Sequence, residues 1–408
     1  MTNLPQGWEV KKLGEIGEIV TGSTPSKSNL DFYGKDYPFF KPSDFEQGYF
    51  LENAGDNLSK LGFDKARQLP PKTILVVCIG SLGKVALTRV IGSCNQQINA
   101  IIPHKNIIAE YIYYYCISSK FQSILFSKAP QTTLAILNKT EFSKLEIIYP
   151  KDIKEQERIV GILDESFAKI DESIKILEQD LLNLDELMQS ALQKAFNPLK
   201  DNAKENYKLP QGWEWKSLGE IANTSSGGTP SRNKKEYWEN GNIKWLKSGE
   251  LNDGYIDFIE ENITEEAIKN SSAKIFQKGT LLIAMYGATA GKLGILNLDS
   301  TTNQAICAFL HKDKNIKFLE KFLFYFLFFL RDKIIKDSFG GAQPNINQTY
   351  IKNLQIPLPP IKEQEQIASH LDELSSHVKN LKQNYQAQIK DLQELKKSLL
   401  DKAFKGNL

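Results

Sequence analysis

A chain of 408 residues is too long for one hydrophobic core and predicts several domains. Its 41% hydrophobic and 25% charged residues are ordinary for a globular protein, and its four cysteines have no paired spacing that would build a zinc site or disulfide framework, so a reducing cytoplasm is expected. The formal net charge of +2 excludes a uniformly basic or acidic surface, and only five of the 51 basic residues are arginine.

From the N-terminus, MTNLPQGWEV lacks the basic and apolar regions of a signal peptide. The next observation decides the architecture. LPQGWEVKKLGEI at Leu4 to Ile16 returns as LPQGWEWKSLGEI at Leu209 to Ile221, and IKEQE at Ile153 to Glu157 returns at Ile361 to Glu365. One module is therefore written twice. Between these anchors, Gly22-Ser23-Thr24-Pro25-Ser26 matches Gly227-Gly228-Thr229-Pro230-Ser231, Lys41 and Asp44 match Lys247 and Glu250, and Asn95-Gln96 matches Asn303-Gln304. The rest has drifted, which suggests one scaffold carrying two different exposed surfaces.

Within each copy, a mixed globular segment precedes a helical one. Thr73 to Ile79 and Thr280 to Tyr286 are short apolar runs ending at Gly80 and Gly287, as buried strands entering a turn would read. Phe322 to Leu330 is nine apolar residues, far short of the roughly 20 needed to span a bilayer, and reads as a buried helix matching Tyr111 to Ile117. Leu145 to Tyr149 and Leu354 to Leu358 read as closing strands before the IKEQE helices.

The first long helix places Leu163, Phe167, Ile170, Ile174, Leu177, Leu181, Leu184 and Met188 at alternating spacings of four and three, and Ala191 and Ala195 continue the pattern. The second predicts a seam of Leu371, Leu374, Val378, Leu381, Tyr385, Gln388, Leu392, Leu395 and Leu399, with Gln388 its one polar member. A narrow heptad seam suits a helix partner better than a sheet, and the nearest partner is the other copy's helix. An intramolecular two-stranded coiled coil is therefore expected, ended by Asn197-Pro198 and Gly406, with Gln388 fixing register; periodicity leaves its direction open.

These patterns divide the chain into a mixed α+β domain over residues 1–150, a helical region and linker over 151–206, a second mixed domain over 207–360 and a second helical region over 361–408. Lys plus Arg exceed Asp plus Glu by 16 to 13 and 19 to 16 in the two mixed segments, against 8 to 13 and 8 to 7 in the helical ones. Contact with a polyanion therefore belongs with the former and protein partners with the latter.

Catalytic chemistry is not indicated. GATAGK at Gly287 to Lys292 has one residue too few for a phosphate loop, and Leu293 stands where a magnesium-binding hydroxyl would be needed. Metal, nucleophile and methyltransferase motifs are missing, so no metal or cofactor is expected. What remains is a polar binding surface at the repeated turns. Its candidates are Thr24, Lys41, Ser43, Asp44, Lys84, Gln96 and Gln97 in the first copy, and Thr229, Lys247, Ser248, Lys292, Asn303, Gln304, Gln343 and Asn345 in the second. Asn and Gln can pair bidentately with adenine, and Lys can reach guanine or phosphate.

The paired LPxGWExxxLGEI starts, GxTPS loops, IKEQE transitions and terminal heptads together resemble the specificity subunit of type I restriction-modification systems along essentially the full length. The resemblance implies two target-recognition domains joined by two antiparallel helices in a pseudo-twofold arrangement. Each domain would read one half of a bipartite site in double-stranded DNA. The helices would set the gap, about one helical turn or 34 Å, and dock two modification subunits that carry catalysis, to which restriction subunits can add. Gly7, Trp8, Leu13, Gly14, Thr24, Pro25 and Gln156 carry the resemblance and are scaffold positions, so the base-reading residues stay open. From the residues alone, a coiled-coil scaffold that never touches DNA is the alternative.

Overall fold

The computed structural model describes residues 4–129, 135–196, 209–312, 317–338 and 345–408. Two compact units are present, Met1–Glu178 with Tyr385–Leu408, and Gln179–Asn384. Gln343, Asn197 and Pro198 lie outside the described residues.

In the first unit the opening motif pairs with its closing strand. Trp8–Lys12 runs antiparallel to Glu146–Pro150, beginning with Trp8 opposite Pro150. Gly7, at a positive φ of 85° that favours glycine, turns the chain into this ribbon. LGEI then forms a single helical turn, Leu13–Ile16, whose Glu15 carboxylate accepts the Lys12 N–H at 2.7 Å. Leu13 and Ile16 are fully buried, so the motif is a capped turn pinned into the core.

The main sheet has five strands in the spatial order Gly17–Thr21, Ile98–Pro103, Ile74–Val77, Val85–Thr88, Phe50–Leu51. Ile74–Val77 is buried on both faces, as its unbroken β-branched and apolar run requires. The helix Ala109–Ile117 packs against it through Tyr111, Ile112 and Tyr115. A three-stranded sheet, Asp56–Leu58, Tyr33–Phe40, Ser93–Cys94, completes the globular part.

The second unit repeats this topology. Glu214–Ser217 pairs with Gln355–Leu358, and Glu220 accepts the Ser217 N–H at 2.6 Å. Its five-stranded sheet runs Ala222–Ser226, Ile306–His311, Leu281–Ala284, Leu293–Leu296, Gly254–Ile256. Its small sheet is Asn262–Ile263, Ile243–Leu246, Thr301–Thr302. The apolar run at Phe322 lies in the buried helix Glu320–Lys336. Among the described residues no helix is long and apolar enough to cross a membrane.

The two long helices, Ile153–Phe196 and Ile361–Ala403, lie antiparallel wherever they meet within a unit. In the first unit the Arg158 guanidinium donates to the Leu408 carbonyl at 3.0 Å, while farther along Lys396 pairs with Asp171. In the second, Lys382 pairs with Asp185, and Leu192 and Phe196 share a core with Ala368 and Leu371.

Every expected seam residue of the first helix, from Leu163, Phe167, Ile170 and Ile174 through Leu177, Leu181, Leu184 and Met188, is buried or half-buried. The second helix corrects the expected seam. Leu371, Val378, Tyr385, Leu392 and Leu399 are buried or half-buried, as is Leu374, but Leu381, Gln388 and Leu395 are exposed. The alternate track is instead Ser375, Lys382, Ile389, Lys396 and Ala403, all buried or half-buried. Two lysines fooled the polarity pattern because their methylene stems pack while their ammonium groups reach aspartates beside the seam. Gln388 is a surface residue, and Ile389 next to it faces the seam.

Candidate nucleic-acid interface

Three sequence-distant loops meet at the same place in each unit. In the first, Ser23 N–H donates to the Cys94 carbonyl at 2.9 Å, and Asn95 N–H donates to the Phe40 carbonyl at 3.1 Å. The Thr24 hydroxyl then bonds the Gln96 side-chain oxygen at 2.5 Å. In the second, Gly228 N–H donates to the Thr302 carbonyl and Asn303 N–H to the Leu246 carbonyl, both at 2.9 Å. The Thr229 hydroxyl bonds the Gln304 side-chain oxygen. Gly22 and Gly227 permit this approach, because a Cβ at either would collide with the carbonyl oxygen of Asn95 or Thr302.

Thr24, Gln96, Thr229 and Gln304 are exposed. Among the described residues no hydrogen bond uses the amide nitrogen of Gln96 or Gln304. Each glutamine is thus oriented by its threonine, with an amide donor and a remaining oxygen lone pair directed to an incoming group. A base edge presenting an acceptor beside a donor, as adenine does, fits that pattern.

The other expected residues divide. Asp44 is buried, and its carboxylate accepts the Lys41 N–H at 2.7 Å and the Gly55 N–H at 3.0 Å. It caps a turn and cannot read a base, which corrects its expected role; Glu250 does the same for Lys247 N–H at 2.8 Å. Gln97 is half-buried, its oxygen accepting from Asn95 at 2.8 Å, and braces the turn. Lys41 pairs with Asp56, Lys84 with Glu46, and Lys247 with Glu261 at 2.8 Å. In the second unit Lys292 is exposed, Ser248 and Asn303 are half-buried, and Asn345 is exposed; Ser43 is exposed in the first. The structure brings Thr24 with Gln96 and Thr229 with Gln304, while Lys41, Lys84 and Lys247 are already matched to carboxylates.

One arginine cluster escaped the sequence reading. Arg232 lies 3.7 Å over the Trp238 ring and 4.8 Å from Trp245, and pairs with Glu261 at 2.7 Å. The Trp245 indole N–H donates to the Gly228 carbonyl at 2.9 Å, so this stack supports the glycine loop from beneath. Position next to the GGTPS loop was its only sequence signal. Burial raises the Glu261 carboxyl, but Lys247 and Arg232 outweigh it and hold the group below its ordinary value.

All four cysteines are buried, and burial pushes the thiols of Cys78, Cys94 and Cys307 up to about 12, so none is an available nucleophile at neutral pH. Among the described residues no group of three or more His, Cys, Asp or Glu could hold a metal ion.

The family model for the type I restriction modification DNA specificity domain matches twice, over residues 5–181 and 210–391. The HindI specificity subunit of Haemophilus influenzae is 38% identical over 186 residues, which are 44% of this chain and 40% of that protein. The MjaIX specificity subunit of Methanocaldococcus jannaschii is 26% identical over 419 residues, 99% of this chain and 94% of that one. A chain solved in work on complex assembly and conformational transition of the type I R-M system covers all of both chains with a TM-score of 0.81 at 21% identity. The HsdS subunit from Thermoanaerobacter tengcongensis covers 100% of this chain and 98% of its own, with a TM-score of 0.62 at 21% identity. These structural likenesses carry the fold, and the doubled family match carries the assignment: the chain belongs to the type I restriction-modification DNA specificity family, with two copies of its domain.

Proposed function

We propose that this chain is the non-catalytic specificity subunit of a cytoplasmic type I restriction-modification complex, reading a bipartite site in double-stranded DNA. Residues 1–150 and 207–360 act as its two recognition domains. Residues 151–206 and 361–408 form the helical spacer, which docks two modification subunits, and restriction subunits join that assembly. No cofactor is assigned to this chain, since the methyl donor and the chemistry belong to the partner.

The observation that supports this reading is the repeated loop meeting, in which an exposed glutamine is held by a threonine hydroxyl in both units. Gln96 and Gln304 are the base readers. Thr24 and Thr229 position them, and Ser43, Ser248, Asn303 and Asn345 belong to the surrounding surface. Lys292 makes a phosphate contact directly, whereas Lys41, Lys84 and Lys247 exchange carboxylate for phosphate on binding.

The test is to co-express the chain with its modification partner and map the methylated adenines. Gln96→Ala should relax one half of the target and Gln304→Ala the other, each by about 1–3 kcal/mol of discrimination. Lys292→Ala should weaken binding evenly across sequences and lower the salt slope by about one. An unchanged methylation pattern in both glutamine variants would move base reading to other residues, and binding that ignores salt would favour a scaffold that never touches DNA.

A further inference from the structure

Strand register equates residues that sequence comparison cannot. Phe50 pairs with Leu87, which pairs with Ile74; Tyr255 pairs with Ile295, which pairs with Leu281. Tyr49 of the first copy therefore corresponds to Gly254 of the second. The IKEQE offset of 208 residues equates Phe167 with Ser375 and Asp164 with Asp372. Matching hydrogen bonds support the frame, since Tyr114 donates to Asp164 at 2.5 Å and Tyr325 to Asp372 at 2.8 Å.

In the first unit these positions are full. The Tyr49 ring stacks on Tyr113 at 4.1 Å and on Phe50 at 4.0 Å, and Phe167 sits edge-on to Tyr114 at 5.5 Å. In the second unit both rings are replaced by small residues. What opens there is a cavity of about 630 Å³, walled by Gly254, Tyr255, Phe324, Tyr325, Asp372 and Ser375. Phe324 occupies the place of Tyr113, the face on which Tyr49 stacks.

Charge changes with shape. Glu110 and Asp171 of the first copy correspond to Lys321 and Lys379 of the second, and both lysines line the cavity. Lys321 is held by Asp372, Asp253 by Arg331, and Asp257 accepts from Asn297 at 2.6 Å. Among the described residues Lys379 has no ion pair. Gly254 also begins the edge strand of its sheet, so a neighbouring chain can approach the cavity along an open backbone edge.

We propose that this cavity receives a tyrosine side chain, flanked by an acidic residue, from a partner protein. The ring takes the place that Tyr49 fills internally in the other copy, its hydroxyl reaches Asp372 and Ser375, and the acidic neighbour meets Lys379. The pocket gives the second unit a partner contact that the first has closed with its own side chain. It is independent of the DNA reading above.

The test uses the full chain with two probe peptides, acetyl-Glu-Tyr-Glu-amide and acetyl-Glu-Ala-Glu-amide, followed by calorimetry and saturation-transfer NMR. The tyrosine peptide should bind saturably and at least tenfold more tightly than the alanine peptide. Gly254→Tyr should abolish that binding and raise the melting temperature. The Gly254 backbone accepts a side chain, since a Cβ there meets nothing closer than the Asn252 side-chain oxygen at 3.6 Å. Ser375→Phe fills the same space from the opposite wall and should give the same loss, which guards against misfolding of either variant. Equal binding of both peptides, undiminished binding to both filled variants, or displacement of the tyrosine peptide by a 30-base-pair duplex would overturn the proposal. Loss of DNA specificity in the glutamine variants above has no bearing on this result, so the two readings fail separately.

Discussion

The two copies keep their polar fastenings and change their fillings. Gln156 and Gln364 are both buried and tie the same three backbone groups: an N–H of residue 108 or 319 at 3.0 or 2.8 Å, a carbonyl of Asn106 or Lys317 at 3.3 Å, and a carbonyl of Pro150 or Pro359 at 2.9 Å. Around these fixed bonds the filling changes at particular sites, as Tyr49 against Gly254 and Phe167 against Ser375 illustrate. A buried hydrogen bond has one acceptable geometry, whereas an apolar volume can be filled in many ways or left open. The contrast explains how one scaffold can carry two unlike surfaces.

The strongest way to break the comparison is at the helix ends. Phe404 meets Tyr111 and Tyr115 edge-on at 5.5 and 5.1 Å, and Phe196 packs against Phe322, Phe326 and Phe329. In each unit, then, a helix from one half of the sequence ends inside the core of the other half's domain. Phe404→Ala and Phe196→Ala should each cost about 3–5 kcal/mol, read by calorimetry as loss of one unit's transition while the other's stays in place. Equal loss of both transitions from either variant would mean the units do not melt as separate bodies.

Next come the glutamines. Gln156→Leu or Gln364→Leu leaves one N–H and two carbonyls unsatisfied in a buried site, for an expected cost of about 2–3 kcal/mol. Denaturant titration should find similar losses for the two, since the bonding is the same. A loss confined to Gln156→Leu would show that its equivalent is held by something else.

Much of this was legible in the residues. The doubled GWE, LGEI and IKEQE motifs marked two copies of one module, and the first helix read true because its seam is apolar throughout. The second helix did not, since Lys382 and Lys396 are polar by type and apolar along the stem that packs, while Leu381 and Leu395 are apolar and exposed. Asp44 read as a ligand group because sequence cannot distinguish a carboxylate aimed outward from one capping its own turn. The pairing of Thr24 with Gln96, residues 72 apart, needed the sheet to bring them together.

The corrected seam has its own test. Lys396 also lies 4.7 Å over the Phe167 ring, where the other copy has Met188 and Ser375 at the corresponding positions. Its aspartate partner is largely exposed, so the ion pair contributes at most about 1 kcal/mol. Lys396→Leu should therefore be neutral or stabilising by several tenths of a kcal/mol, and Gln388→Leu should leave the melting temperature unchanged. A clear stabilisation by Gln388→Leu would restore the seam expected from periodicity.

The smallest expected effect separates the copies by pH. Glu261 is held below its ordinary value of 4.5 because, although burial raises it, Lys247 and Arg232 lower it more. A depressed carboxyl stabilises the fold in its charged form, so its contribution is complete above the ordinary value and disappears as pH falls through the lower folded one. Below about pH 4.5 the second unit should lose stability more steeply than the same unit carrying Glu261→Gln, in which that part of the slope is removed. The first unit has Asp56 at the corresponding ion pair but no counterpart to Arg232 stacked between two tryptophans. If Glu261→Gln leaves the acid limb of the second unit's stability curve untouched, the arginine stack holds that loop by packing alone.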